Sequence, residues 1–302
     1  MSIVVLGSIN FDLSAQVAHR PQPGETLMAS AFSTSPGGKG ANQALAARRM
    51  GAAVTMIGAV GQDDFATGAL SLLRSDGVDL SYVRTIEGVS TGLAFIHLDE
   101  AGENSITVIP GANAQGAQEA LRALEQVLSP HDMLVMQLEV PLPTVLAAIT
   151  IAKRKGAAVL IDPAPSPASV PDDLVAVDIF IPNRSEAEQI LGHRISSVES
   201  ARAAAEELRK RGARIGIVKL GSDGVAWANE QGTFYEPAYK VQPIDTTGAG
   251  DAFAGALAAF MDSGYQVNEA IVLANRAAAL ATEHLGAQKS FPYKQDVLSI
   301  VQ

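Results

Sequence analysis

The feature that most constrains the fold is a regular alternation, from residue 115 onward, of short apolar runs with longer helical segments. The runs 133–138, 157–161, 179–181 and 215–220 are too short for ordinary helices and are rich in Val, Ile and Leu, as in strands buried on both faces. Between them, residues 115–127, 141–155, 185–191 and 198–211 read as helices. Such alternation predicts a mainly parallel sheet with helices on both sides, a three-layer α/β core. The amino-terminal part joins it, with residues 3–9 as a central strand, 38–50 as a helix with an Ala and Leu face, and 54–60 as another buried strand. A hairpin over 224–235, turning at Asn229-Glu230-Gln231-Gly232, precedes two Ala-rich helices, 249–263 and 267–283.

Two stretches interrupt the pattern. In residues 11–36, Pro21, Pro23 and Gly24 precede Thr26-Leu27-Met28-Ala29-Ser30-Ala31-Phe32, whose mixed polarity suits exposed strands. Residues 91–98 and 105–110 flank Asp99-Glu100-Ala101-Gly102 and read as a hairpin by turn chemistry. Segments 11–36 and 91–110 are therefore expected to form one discontinuous β lid on a single domain spanning residues 1–302, since no linker separates two units. Strand 91–98 would present an unpaired edge, and a second subunit covering it makes a homodimer the expected assembly.

Composition removes several function classes. With 22 Lys and Arg against 32 Asp and Glu, the net charge of −10 disfavours nucleic acid as a partner, although a local positive site can still hold a small anion. The chain has no cysteine, which excludes disulfides, thiolate nucleophiles and iron–sulfur clusters, and its five histidines show no zinc-hydrolase spacing. No apolar run reaches the ~18 residues of a membrane span, and residues 1–10 lack a basic leader. The expectation is a cytoplasmic protein with no membrane partner.

Two glycine-rich segments carry the chemistry. Asp245-Thr246-Thr247-Gly248-Ala249-Gly250-Asp251 feeds directly into an Ala-rich helix, whose first amides point at whatever lies in front. A carboxylate among those amides would repel a phosphate unless it had a proton to take. A base beside an anion site is what phosphoryl transfer to an alcohol requires; the competing reading is an Asp near a glycine-initiated helix start. The second segment, Ser35-Pro36-Gly37-Gly38-Lys39-Gly40-Ala41-Asn42-Gln43, also opens a helix. It is no Walker A loop, because position 33 is Ser and Gly40 follows Lys39, and no G-x-G-x-x-G follows the first strand, so hydride transfer loses its main support. Its small residues and its donors Lys39, Asn42 and Gln43 suit a polyhydroxylated ligand, or merely a tight turn with a solvated lysine. Polar residues also recur after predicted strands: Asn10, Asp12, Glu139, Asp162, Asn183 with Glu186, and Lys219 with Gly221. Asn183 and Glu186, three apart at a helix start, can face one magnesium ion or form a capping pair.

These residues resemble the ribokinase family of carbohydrate kinases over essentially the whole chain. Its amino-terminal signature matches Gly37 to Gln43 and its carboxy-terminal one matches Asp245 to Asp251. The match is strengthened by Gly7-Ser8-Ile9-Asn10-Phe11-Asp12, Gly102-Glu103-Asn104 and Pro110-Gly111-Ala112-Asn113. The resemblance implies an α/β core with a β lid, ATP as phosphoryl donor, and a dimer in which two lids pack together. It assigns Asp251 as the base and the amides of Ala249 and Gly250 as the anion hole, with Gly248 also among the catalytic positions. It gives the sugar to Asn10, Asp12, Gly38, Lys39, Asn42, Glu139 and Asp251. Asn183 and Glu186 match its magnesium and phosphate motif, and Lys219, Gly221, Gly224, Gly250 and Asn275 its nucleotide positions. Potassium-activated members use positions matching Asp245, Thr247, Ala281, His284, Gly286 and Ser290. Many members carry threonine at position 219, so contacts at the nucleotide phosphates are expected to differ. The implied activity is transfer of the γ-phosphoryl group to the primary hydroxyl of a pentose, D-ribose foremost. A kinase of deoxyribose, fructose, a ketodeoxy sugar acid or a nucleoside, or a silent sugar-binding protein, is the alternative.

Overall fold

The computed structural model describes residues 2–99 and 104–299. Its strands are β1 (Ile3–Leu6), β2 (Asn10–Gln16), β3 (Ala31–Gly37), β4 (Val54–Gly61), β5 (Asp79–Ile86), β6 (Gly92–Leu98), β7 (Asn104–Ile109), β8 (Met133–Met136), β9 (Ala158–Ile161), β10 (Ile179–Phe180), β11 (Ile215–Lys219), β12 (Val225–Asn229) and β13 (Gly232–Glu236). Nine of them form one sheet in the order β13-β12-β11-β10-β9-β8-β1-β4-β5. Its pairings are parallel from β5 through β11, and β12 runs antiparallel to both of its neighbours. Strands β1 and β8 are buried along their whole length, which is why they read as unbroken apolar runs rather than alternating ones. Helices pack on both faces over two apolar cores. One core contains the helices Lys39–Arg49 and Ala249–Asp262; the other contains Leu142–Lys155 and Val198–Lys210.

The remaining four strands make the small sheet, ordered β3-β2-β6-β7. Its outer pairs are antiparallel, while β2 and β6 run parallel from Asn10 opposite Gly92 to Gln16 opposite Leu98. Strands from residues 10–37 and from residues 92–109 share this one sheet, and the chain reaches it directly from the core. Residues 3–9, expected to be one strand, end as a strand at Leu6 and restart at Asn10. The break has a steric cause. A Cβ on Gly7 would lie 2.9 Å from the Gly40 Cα and 2.0 Å from the Gln137 Oε1, so the backbone passes tightly under the first glycine-rich helix.

Other boundaries also shift. Residues 26–30 are not strand; the strand begins at Ala31 and carries Pro36, tolerated because β3 is a sheet edge. Residues 137, 138 and 181 lie beyond their strands. Strand β5 and the short helices Asp64–Ala69 and Ser71–Ser75 were not anticipated, because β5 is a half-exposed edge whose pattern mixes polar with apolar residues. Of the turn expected over residues 99–102, positions 100–102 lie outside the described residues.

Candidate functional site

Both glycine-rich segments start helices at the carboxyl ends of core strands, and each start is preceded by a glycine in the left-handed region, Gly38 at φ 88° and Gly248 at φ 80°. Neither position accepts a side chain. A Cβ on Gly38 would stand 2.7 Å from the Asn10 amide nitrogen, and one on Gly248 would stand 2.8 Å from the Ala287 Cβ. The first helix start is closed: the Lys39 amide donates to the Glu139 Oε2 at 3.0 Å, the Gly40 amide to the Ser8 Oγ at 3.3 Å, and the Ala41 amide to the Ser8 carbonyl at 2.9 Å. The second is open at its centre. The Ala249 amide turns back to the Thr246 carbonyl at 3.2 Å, but the amides of Gly250 and Asp251 have no hydrogen-bond partner among the described residues. Of the two amides expected at an anion, that of Ala249 is therefore engaged in the tight turn at residues 246–249 and that of Gly250 is free.

Asp251 stands where the two segments meet. Its carboxylate accepts from the Asn42 Nδ2 at 2.8 Å and from the Gln43 Nε2 at 3.0 Å, so residues more than 200 positions apart in sequence share one buried hydrogen-bonded cluster. Asp251 is only 4% exposed. It is nevertheless not sealed in an apolar core: its neighbour Gly250 lines a cavity of about 590 Å³, and on the other side its charge acts on Asp12 and Lys39. Burial, and then the nearby Glu139 and Asp251, push Asp12 up to about 7. The Asp251 carboxylate holds the Lys39 ammonium proton above the usual lysine range, overriding the opposite effect of burial, and Asp162, Glu139 and Glu186 add to it.

A second cavity, of about 370 Å³, lies under the small sheet and is lined by Asn10, Val108, Pro110, Glu139, Pro141 and Pro165. Asn10 is fixed by Asn113, whose Nδ2 donates to its Oδ1 at 2.7 Å. Asp12 projects toward Gly37, where a Cβ would meet its carboxylate at 2.3 Å. Six expected sugar residues, Asn10, Asp12, Gly38, Lys39, Asn42 and Glu139, are thus drawn into one region with Asp251.

The larger cavity is lined by Lys219, Gly221, Gly224, Gly250 and Asn275, all expected at the nucleotide, together with Tyr239. At Gly224, φ 96°, a Cβ would lie 2.1 Å from the Glu236 carbonyl oxygen, so only glycine fits. The Asn275 Nδ2 donates to the Pro237 carbonyl at 2.8 Å and so shapes the cavity wall. Lys219 forms an ion pair at 2.8 Å with Asp162, which is 1% exposed. Asn183 is bridged to Lys219 on the neighbouring strand. Asn183 and Glu186 form a full capping box, the Asn183 Oδ1 accepting from the Glu186 amide at 2.9 Å and the Glu186 Oε2 from the Asn183 amide at 2.8 Å. Burial pushes Glu186 up, with Lys219 opposing. One Glu186 oxygen is left for an ion, and among the described residues no cluster of three acidic or histidine side chains forms a metal cage.

Of the positions expected at a monovalent cation, Asp245, Thr247 and Gly286 are joined by hydrogen bonds. The Asp245 Oδ1 accepts from the Thr247 amide at 2.9 Å and hydroxyl at 2.6 Å, and its Oδ2 accepts from the Gly286 amide at 2.8 Å. Burial would raise this carboxyl, but the three hydrogen bonds outweigh it and hold it below the usual range. Ala281 and Ser290 are buried, with the Ser290 hydroxyl on the Ala287 carbonyl at 2.7 Å, while the His284 side chain is exposed and leaves only its backbone for such a role. Gln137, which donates to the Gln43 Oε1 at 2.7 Å, was not anticipated, and Asp162 stood only as one of several strand-end polar residues. Position after a strand was the available signal for Asp162, whereas Gln137, read as part of the strand 133–138, offered none.

No helix among the described residues is long and apolar enough to cross a membrane. Residues 1–294 match the profile of the pfkB family carbohydrate kinases. Over 301 residues the chain is 36% identical to a ribokinase of Haemophilus influenzae, covering 100% of this chain and 98% of that protein. It is 36% identical over 293 residues to a deoxyribokinase of Salmonella typhi, covering 97% and 96%. The structure of Arabidopsis thaliana ribokinase complexed with ribose and ATP superposes with a TM-score of 0.89 at 30% identity, covering 100% of this chain and 98% of that one. With the fold, both signatures and full-length relatives in agreement, this chain belongs to the pfkB family of carbohydrate kinases.

Proposed function

We propose that this enzyme transfers the γ-phosphoryl group of ATP to the primary hydroxyl of a pentose, D-ribose at O5. The observation that carries the reading is the junction of Asp251 with Asn42 and Gln43, because it sets a carboxylate between the cavity under the small sheet, where Asn10, Asn113 and Glu139 are the polar lining residues, and a larger one beside two free helix amides. Asn10, Asp12, Gly38, Lys39, Asn42 and Glu139 hold the sugar hydroxyls. The nucleotide lies along Lys219, Gly221, Gly224 and Asn275. As the sugar oxygen bonds to the γ-phosphorus, the bond from that phosphorus to the β,γ-bridging oxygen breaks and ADP leaves. Asp251 receives the hydroxyl proton, and the amides of Gly250 and Asp251, with Lys39, stabilise charge on the moving group. The small sheet excludes water, so that ATP is not simply hydrolysed.

Magnesium fits as an ion that arrives with the nucleotide, since it commonly keeps waters and uses one or two carboxylates plus phosphates, and the free Glu186 oxygen near Asn183 supplies that. Potassium fits the oxygen-rich loop that Asp245 ties to Gly286, through Thr247 and the backbones of Ala281, His284, Gly286 and Ser290. The core and lid act as one domain. Phe32 and Phe95, apolar and exposed on the same face of the small sheet, support a homodimer joined through the lids.

A coupled assay across pentoses, hexoses and nucleosides, with magnesium and with or without potassium, tests the substrate. Ribose is expected to be preferred and potassium to raise turnover. Preference for deoxyribose is the second reading, favoured by the equal identity to a deoxyribokinase. Asp251→Asn is expected to lower kcat by about 10²–10⁴-fold with little change in sugar affinity. Near-normal turnover in that variant sinks the assignment of the base.

A further inference from the structure

We infer that Gln43 is a positioning residue for phosphoryl transfer, locking the rotation of the Asp251 carboxylate and tying it to the Asp162–Lys219 ion pair on the nucleotide side. The inference rests on the kinase reading above. Gln43 is completely buried, and both the nitrogen and the oxygen of its amide are hydrogen-bonded. Its Nε2 donates to the Asp251 Oδ1 at 3.0 Å and to the Asp162 Oδ2 at 3.1 Å, and its Oε1 accepts from the Gln137 Nε2 at 2.7 Å.

The chemistry requires an amide at this point. Two ionised carboxylates are acceptors only, so the group between them must offer two N–H bonds in diverging directions, as a carboxamide does and a hydroxyl or carboxylate does not. Gln137 sets the direction of that amide, since only the oxygen of Gln43 can face the Gln137 donor. Gln137 is itself pinned against Gly7, where a Cβ would lie 2.0 Å from its Oε1. The outer ends of the chain are also anchored: the second Asp251 oxygen accepts from Asn42 at 2.8 Å and the second Asp162 oxygen from Lys219 at 2.8 Å. The Lys219 ammonium in turn stands 3.4 Å from where a Gly250 Cβ would be. A continuous buried line, Asn42 to Asp251 to Gln43 to Asp162 to Lys219, therefore links the sugar side to the open helix start. With each Asp251 oxygen held by one donor, the carboxylate cannot turn, and its remaining lone pairs are left at a fixed angle for a substrate hydroxyl. Misplacement of a reacting group by ~1 Å can cost about 10²-fold in rate.

The test is Gln43→Met, near in volume but without hydrogen bonds, made alone and together with Asp251→Asn, with Gln137→Met as a milder companion that frees the amide without removing it. Turnover with ribose, KM for ribose and ATP, and melting temperature are measured for each. Gln43→Met is expected to lower kcat by about 10–10²-fold with both KM values within about threefold, and Gln137→Met to lower it less, in the same pattern. In the Asp251→Asn background the Gln43 change is expected to cost less than about twofold, because a group that acts through Asp251 has little left to act on. Full additivity of the two changes, loss confined to KM, or unchanged kcat in folded Gln43→Met overturns the positioning role. If Gln43→Met does not fold, unchanged kcat in Gln137→Met overturns it. Absence of sugar turnover in the unaltered enzyme overturns the kinase reading instead, and is separable from all of these.

Discussion

The two glycine-initiated helices begin alike and end up in opposite chemical states. Both follow a glycine with φ near 80–90°. The start at Lys39 has three amides spent on Glu139 and Ser8, whereas the start at Ala249 leaves the Gly250 and Asp251 amides without a partner among the described residues. A closed start satisfies its orphan donors within the protein and contributes through side chains, Lys39, Asn42 and Gln43. An open start keeps those donors for an anion, with the positive end of the helix dipole behind them. The comparison separates glycine as a steric necessity from glycine as access, and substitution at each start can break it.

Gly38→Ala is expected to have the larger effect, and to act on the fold. The new Cβ would sit 2.7 Å from the Asn10 nitrogen and 2.9 Å from the Ser8 carbonyl, both backbone, at a φ of 88°. Left-handed strain and overpacking together amount to roughly 2–5 kcal/mol. Thermal unfolding checks this, and a melting temperature equal to that of the unaltered protein contradicts it. Gly250→Ala should behave differently. Gly250 has an ordinary helical conformation and its nearest neighbour is the flexible end of Lys219 at 3.4 Å, so stability is expected to hold or rise by up to ~1 kcal/mol from the better helix propensity. The methyl group stands at the open amides, and turnover is expected to fall by about tenfold, equivalent to about 1.4 kcal/mol on the barrier. If Gly250→Ala unfolds the protein while keeping the specific activity of its folded fraction, the distinction between the two starts fails.

This difference between the starts was only half legible in the sequence. Gly37 to Gln43 and Asp245 to Asp251 announce tight turns feeding helices, because glycine and helix periodicity are local signals. Which amides are already spent is not local: Glu139 closes the first start from a loop 100 residues away, and Thr246 takes the Ala249 donor through a turn whose geometry several sequences would share. The buried parallel strands read clearly because burial on both faces makes them uniformly apolar, while β5, with one exposed edge, mixes Asp79, Ser81 and Arg84 among apolar residues and gives no clean period. Asn183 and Glu186 left two readings open, and the capping pair is realised, with one carboxylate oxygen spare. Gln137 carried no signal, since a lone glutamine after a strand acquires its meaning from Gln43 opposite.

The smallest expected effect probes how far the charges of the two starts reach each other. Asp12 is raised to about 7 by burial first and then by Glu139, which caps the closed start, and Asp251, which belongs to the open one. A carboxyl raised in the folded state binds its proton more tightly there than in the unfolded chain, where it ionises near 3.8. Its contribution to stability is fully present below about pH 4 and is lost as pH rises through about 7. Asp12→Asn removes that dependence. The melting temperature of Asp12→Asn relative to the unaltered protein is therefore expected to become more favourable between pH 5 and pH 8, by ~2–4 °C if about 1 kcal/mol survives solvent screening. Replacing Glu139 by Gln or Asp251 by Asn should flatten the pH dependence of the parent in the same sense, each removing one of the repelling charges. An Asp12→Asn offset that is constant across this range would mean that the carboxyl is hydrated and indifferent to both helix starts, and that their charges are not shared across the site.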